Sequence, residues 1–233
     1  MPARSTPGRR PRRRRSNLLA LAVLACLAER PMHPYEMATT MRTRGKHDSI
    51  KLNYCSLYSV VESLERDALI ERARTVRDGR RPERTIYRIT DAGRNELTEW
   101  ESDLLSVPVK EYTRFEAGLS LLPVLAPDEA VALLDERCVH IEASLAAERG
   151  LLAACVESGL PRLLVVELEY RMRMREAELE WTRTLTSEIT SGALSGVDWW
   201  HAAYQELERA MAEGREPVLE APEWKCSTEE RPE

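Results

Sequence analysis

Aromatic residues are scarce in this sequence, at 6% with a single phenylalanine among 233 residues. Its core therefore has to be aliphatic, and the abundance of Leu, Ala, Arg and Glu favours helices. Cysteine is equally sparse: Cys26, Cys55, Cys138, Cys155 and Cys226 form no CxxC pair and have no histidine at ligand spacing. That pattern argues against a disulfide framework or a local metal site, and for the reduced thiols of a cytoplasmic protein. There is no Gly-rich phosphate loop, no HExxH and no nucleophile elbow, and His33, His47, His140 and His201 lie far apart. A non-enzyme without a cofactor is expected. The apolar run Leu18–Leu27 has ten residues, against the about 20 a helix needs to span a bilayer. With its basic leader it formally passes for a secretory signal, and VLAC at Val23–Cys26 for a lipoprotein-type cleavage site. A secreted or lipid-anchored protein is thus one alternative.

The net charge of −5 conceals an asymmetry: residues 1–100 hold 21 Lys and Arg against 12 Asp and Glu, and residues 101–233 hold 13 against 27. A basic front half suits a polyanion, nucleic acid first, which an acidic back half would repel. Residues 1–16, with Arg12, Arg13, Arg14 and Arg15 in one block, read as a disordered arm, and residues 214–233 as an acidic disordered tail. Between them, domains are expected at 17–105 and 111–213.

Leu18–Ala28 suits a helix buried on most sides, ended by Pro31. Pro34 starts a second helix with Met37, Ala38 and Met41 on one face. LNYCSLYSVVESLERDALI, Leu52–Ile70, holds a third: Asn53 is its N-cap, Leu57, Val60, Val61 and Leu64 share a face, and Cys55, Tyr58, Ser59 and Glu62 point away. LIERARTV and RTIYRIT, around a turn with Asp78, Gly79 and Pro82, read as a β-hairpin with a basic tip. Thr90 then caps a fourth helix, with Asp91 near its positive end. Three helices followed by a basic hairpin is the order of a winged helix-turn-helix, whose third helix enters the major groove while the wing touches adjacent backbone. This order weighs against secretion, because cleavage near Cys26 would remove the first helix and uncover the other two.

In the acidic half, FEAGLSLLPVL suggests a short helix, and Pro127–Glu129 opens a long one. Leu134, Cys138, Ile141, Leu145 and Leu152 repeat at four- and three-residue steps, interrupted by Glu148, as a heptad seam. After SGLPR, Val165, Leu168, Met172, Leu179, Thr182 and Ile189 line one side of a second long helix. A homodimer would cover both stripes, and an intramolecular hairpin is the alternative. Residues 197–213 form an amphipathic helix with Trp199, Trp200, Tyr204, Leu207 and Met211. The expected fold is mainly α: a winged helix-turn-helix DNA-binding domain with a two-stranded wing, plus a C-terminal long-helix dimerisation domain.

Three segments in order, RPMHPYEMA (Arg30–Ala38), SLYSVVESLERDALIE (Ser56–Glu71) and YRITDAGRNEL (Tyr87–Leu97), resemble the PadR transcriptional regulators. They match the opening of helix two, the recognition helix with its Leu-Tyr pair, here Leu57 and Tyr58, and the close of the wing. Pro34, Cys55 and Ala68 stand where the family often has glycine. Ala68 matters most, since the turn after a helix often needs a left-handed residue, which costs ~1 kcal/mol without glycine. The resemblance implies a homodimeric repressor on a two-fold-related double-stranded operator. Some such regulators hold small aromatic effectors near the dimer interface, and Trp100, Trp181, Trp199 and Trp200 are the candidates for lining that pocket.

DNA contacts are expected from Tyr54, Ser56, Tyr58 and Ser59 in the first turns of helix three, with Lys51 and Asn53 flanking them. Arg80, Arg81 and Arg84 at the hairpin should meet phosphate, and the arm should follow the backbone or a minor groove. A non-specific DNA-coating protein is the remaining alternative, and a membrane is not an expected partner.

Overall fold

The apolar run at the front of the chain becomes α1 (Leu18–Glu29), with eight of its 12 residues buried. A computed structural model describes residues 17–76 and 84–218, and the arm, the hairpin tip and the tail from residue 219 onward lie outside the described residues. The chain divides into two compact units, Met1–Lys110 and Glu111–Glu233.

In the first unit α1 packs against the three helices that follow it and against the second strand of the wing. α2 (Pro34–Thr43) begins with Pro34 at its first turn, and α3 (Tyr54–Arg66) begins where the Asn53 side chain accepts the Cys55 N–H. Leu57, Val60, Val61 and Leu64 of α3 are buried with Leu24, Leu27, Met37 and Met41. Each such side chain contributes about 1.5–3 kcal/mol on leaving water. β1 (Ile70–Val76) pairs antiparallel with β2 (Arg84–Ile89), Ile70 opposite Ile89, with a register shift between Arg72 and Arg74. α4 (Asp91–Ser106) follows, capped by the Thr90 hydroxyl accepting from the Gly93 N–H.

Two features of this unit depend on residues far apart in sequence. Met32 and Tyr87 exchange backbone hydrogen bonds of 3.1 and 3.0 Å, so the segment before α2 adds a bridge to the wing's inner strand. At the base of the wing, Thr90 donates its N–H to the Leu69 carbonyl and its hydroxyl lies within hydrogen-bond reach of the Ala68 and Leu69 carbonyls, at 2.8 and 3.0 Å. Gly93 passes so close that a Cβ there would lie 2.0 Å from the Leu69 carbonyl oxygen.

The second unit holds α5 (Arg114–Ser120), a 3₁₀ turn at Leu122–Val124, α6 (Pro127–Glu157), α7 (Val166–Ser191) and α8 (Val197–Glu213). FEAGLSLLPVL is thus a helix followed by a separate turn at Pro123, not one helix. The heptad seam is also spent differently from the dimer expectation. Cys138, Ile141, Leu145 and Leu152 of α6 pack on Leu168, Met172 and Leu179 of α7 within one chain. The physical reason is the break at residues 158–162, where Gly159 at φ 74 lets the chain turn back so that the two stripes cover each other. Leu134 joins a neighbouring cluster with Ala130, Ile189, Val197 and Trp200, which seats α8, while Met211 stays exposed. Glu148, the interruption in the seam, accepts hydrogen bonds from Arg171 and Arg175 of α7. Burial alone would raise its pKa, but these two guanidinium groups outweigh it and hold the carboxyl below its ordinary value.

Candidate nucleic-acid interface

Helix α3 has two faces because its apolar residues recur at three- and four-residue spacing. Once Leu57, Val60, Val61 and Leu64 are buried, the remaining side chains of its first two turns must face out. Cys55, Ser56, Tyr58 and Ser59 are exposed, Tyr58 at 46%. None of these four is an Asp, Glu, Lys or Arg, whereas Glu62 and Glu65 follow one turn later, and Glu65 is paired with Arg72 of β1 at 2.7 Å. The N-terminal half is therefore the part of this helix that a polyanion can approach.

The other expected contacts divide into three groups. Lys51 and Asn53 are exposed at the start of α3, and the Asn53 side-chain oxygen is already used as the cap, leaving its amide N–H groups. Ser59 donates its hydroxyl proton to the Cys55 carbonyl at 3.3 Å, which leaves its oxygen as an acceptor. Arg84 is exposed at the start of β2, while Arg80, Arg81 and Arg12 to Arg15 lie outside the described residues. Ser56, Tyr58 and Ser59 are all exposed on the first turns of α3.

Of the two tyrosines in α3, Tyr54 packs against α2, and Tyr58 stands free. Tyr54 is half-buried, its ring stacked with that of Tyr35 at 6.3 Å, and its hydroxyl accepts from Arg42 at 2.7 Å. Sequence reading did not single out Tyr35 or Arg42. The usable signal was their seven-residue separation, which puts both on one side of α2. His33, just before them, caps α2 by accepting the Tyr35 N–H on Nδ1 at 3.1 Å. Burial, together with Arg84, holds its pKa below the ordinary histidine value, so at neutral pH the ring keeps the unprotonated Nδ1 the cap needs.

Of the four candidate tryptophans, Trp100 belongs to the first unit and Trp181, Trp199 and Trp200 to the second. Trp100 is buried in the first unit among residues of α1, α3 and the wing. Trp200 is buried in the second, its indole N–H donating to the Leu125 carbonyl at 2.8 Å, and Trp199 is partly buried beside it. Trp181 alone is half exposed, with Phe115 edge-on at 6.2 Å. A cleft of about 270 Å³ near the middle of α6 is lined by Leu133, Arg137, His140, Ser144 and Arg175 and by no tryptophan. Among the described residues no helix is long and apolar enough to cross a membrane.

Residues 23–99 match the family model for the transcriptional regulator PadR-like family. No curated protein sequence gives a significant match. Among solved structures, Bacillus subtilis PadR in complex with operator DNA is similar, with a TM-score of 0.59 at 18% identity over 73% of this chain and 98% of that one. The same protein in complex with p-coumaric acid gives a TM-score of 0.58 at 16% identity, over 73% and 97%. The Vibrio cholerae virulence activator AphA gives 0.55 at 19% identity, over 74% and 98%. At these identities the structures speak for a shared fold, a mainly helical winged-helix architecture. The ordered motifs of α2, α3 and the wing lie inside the matched residues 23–99, so about the first third of the chain resembles the transcriptional regulator PadR-like family.

Proposed function

We propose that this chain is a homodimeric repressor that binds a two-fold-related DNA operator through the N-terminal half of α3, with the wing and arm arginines on the flanking backbone. The observation that carries this reading is the surface of Ser56, Tyr58 and Ser59, exposed and uncharged on a helix whose other face is locked into the core. Hydroxyls there accept and donate to base edges or phosphates. The operator complex of the Bacillus subtilis relative supports the same use of the fold.

The dimer is supported by what the hairpin leaves uncovered. With the first seam consumed internally, Tyr170, Met174 and Trp181 of α7 still lie exposed at four- and seven-residue spacing, at 67%, 53% and 49%. Release by a small aromatic acid is the effector half of the proposal, prompted by the p-coumaric acid complex of that relative.

The experiment is a mobility-shift assay with DNA from upstream of its own and adjacent genes, comparing the wild type with Tyr58→Ala and Arg80→Ala across salt. One preferred fragment, weakened by both substitutions and by rising salt, is expected. Equal binding of all fragments would favour a DNA-coating protein, and indifference to salt would remove DNA as the partner. Met174→Glu is expected to give monomers in sedimentation and to weaken the shift.

A further inference from the structure

We infer that Arg42, near the end of α2, is a DNA-contact residue and that Tyr54 is the positioning residue that aims it. The inference deepens the DNA-binding reading and rests on it. Its ground is how Arg42 is held, compared with four other arginines of the first unit. Arg30 is paired with Glu36, Arg44 with both carboxylate oxygens of Glu29, Arg72 with Glu65 and Arg88 with Glu71. Arg42 is exposed and is held instead by a neutral ring: its guanidinium carbon lies 4.4 Å from the Tyr54 ring centroid, and its Nη1 donates to the Tyr54 hydroxyl.

Three consequences follow from that geometry. The charge of Arg42 is not neutralised by the group that orients it. The guanidinium has five N–H donors and spends one on Tyr54, so a fork remains for a phosphate. Holding it against a ring lowers the side-chain entropy it loses on binding. Tyr54 is the first residue of α3 and Tyr58 lies four residues on, so this fixed cation is held one helix turn from the exposed Tyr58, on a helix end whose exposed Ser56, Tyr58 and Ser59 carry no positive charge. The Tyr35 ring stacked on Tyr54 extends the support. Tyr54 thereby changes role, from a residue that touches DNA to one that places another.

The test uses the full chain in fluorescence-anisotropy titrations across salt, with one duplex from upstream of its own gene and an unrelated duplex of the same length. The variants are Arg42→Gln, Tyr54→Phe and, as the reference reader, Tyr58→Ala. Arg42→Gln is expected to weaken binding to both duplexes about tenfold and to reduce the slope of log affinity against log salt by about 0.9, as one phosphate contact requires. Tyr54→Phe keeps the ring and removes the acceptor, so it is expected to weaken binding about threefold with the slope unchanged. Wild-type affinity and slope in Arg42→Gln, with Tyr58→Ala weakened, would overturn the inference and leave the DNA reading standing. A lowered unfolding midpoint in Arg42→Gln with an unchanged slope would show a structural role only, and also overturn it. No binding of either duplex by the wild type would overturn both.

Discussion

Ala68→Gly should stabilise the first unit, by an amount the helix end makes calculable. Ala68 is the residue after the Asp67 cap of α3, and its φ is 55. The Leu69 N–H reaches back to the Leu64 carbonyl and the Ala68 N–H to the Glu65 carbonyl, both at 2.9 Å, while Leu64 and Leu69 are both buried. That is a Schellman end with its hydrophobic contact, built on a residue whose Cβ crowds the following carbonyl. Left-handed conformation costs a non-glycine residue about 1–2 kcal/mol, and glycine gives back roughly 0.4–1 kcal/mol through the entropy of the unfolded chain. The Ala68 methyl is exposed and loses no burial. A net gain of about 0.5–1 kcal/mol is expected, which raises the midpoint of a unit this size by about 2–8 °C. Ala68→Val should move the midpoint the other way and further, because a β-branched residue is worse at positive φ. Thermal unfolding followed by circular dichroism, with hydrogen exchange of the Ala68 and Leu69 amides to localise the effect, is the measurement. A glycine variant no more stable than the wild type, together with a tolerated valine, would refute the left-handed assignment.

Gly93→Ala should abolish folding of the first unit or cost several kcal/mol, since the new Cβ would meet backbone, the Leu69 carbonyl, at 2.0 Å; soluble yield and urea unfolding report it. Glu148→Gln leaves Arg171 and Arg175 without their carboxylate, and a loss of about 2–3 kcal/mol is expected, below the usual buried-pair figure because Arg175 is about a third exposed; a urea midpoint equal to the wild type's would refute it. At the end of α8, hydrogen bonds from Arg215 and from the Val218 N–H pull the Glu206 pKa from an ordinary 4.5 to about 2. Folding favours its charged form, so its contribution is complete above about 4.5 and fades as pH falls toward about 2. Arg215→Ala should make the second unit lose structure at higher pH on acid titration, and an unchanged acid limb would count against the pairing.

Much of the first unit is local and could be read directly. Apolar spacing marks α1 to α3, Asn53 and Thr90 are caps by side-chain chemistry, and Ala68 stands out in the sequence as an unusual residue for a helix end, where its φ is indeed positive. The exposed set Ser56, Tyr58 and Ser59 follows from the same periodicity, since a helix that buries four residues must present the others. The partner of Tyr54 was not legible, because a tyrosine at a helix start is equally suited to a base, a phosphate or a neighbouring helix. Arg42 and Tyr35 decide it by coming from another element.

Pattern alone determined that α6 and α7 each carry an apolar stripe, because hydrophobic periodicity is a property of one helix at a time. It did not determine what covers each stripe, since a second helix of the same chain and a helix of a second chain present the same surface. Tertiary structure decided that, folding α7 back on α6 and spending Cys138, Ile141 and Leu145 within the chain. It also decided the closures no spacing announces: the Met32 and Tyr87 bridge, the contact of Gly93 with Leu69, and the hold of Tyr54 on Arg42. Each joins residues whose proximity is set by how whole elements pack.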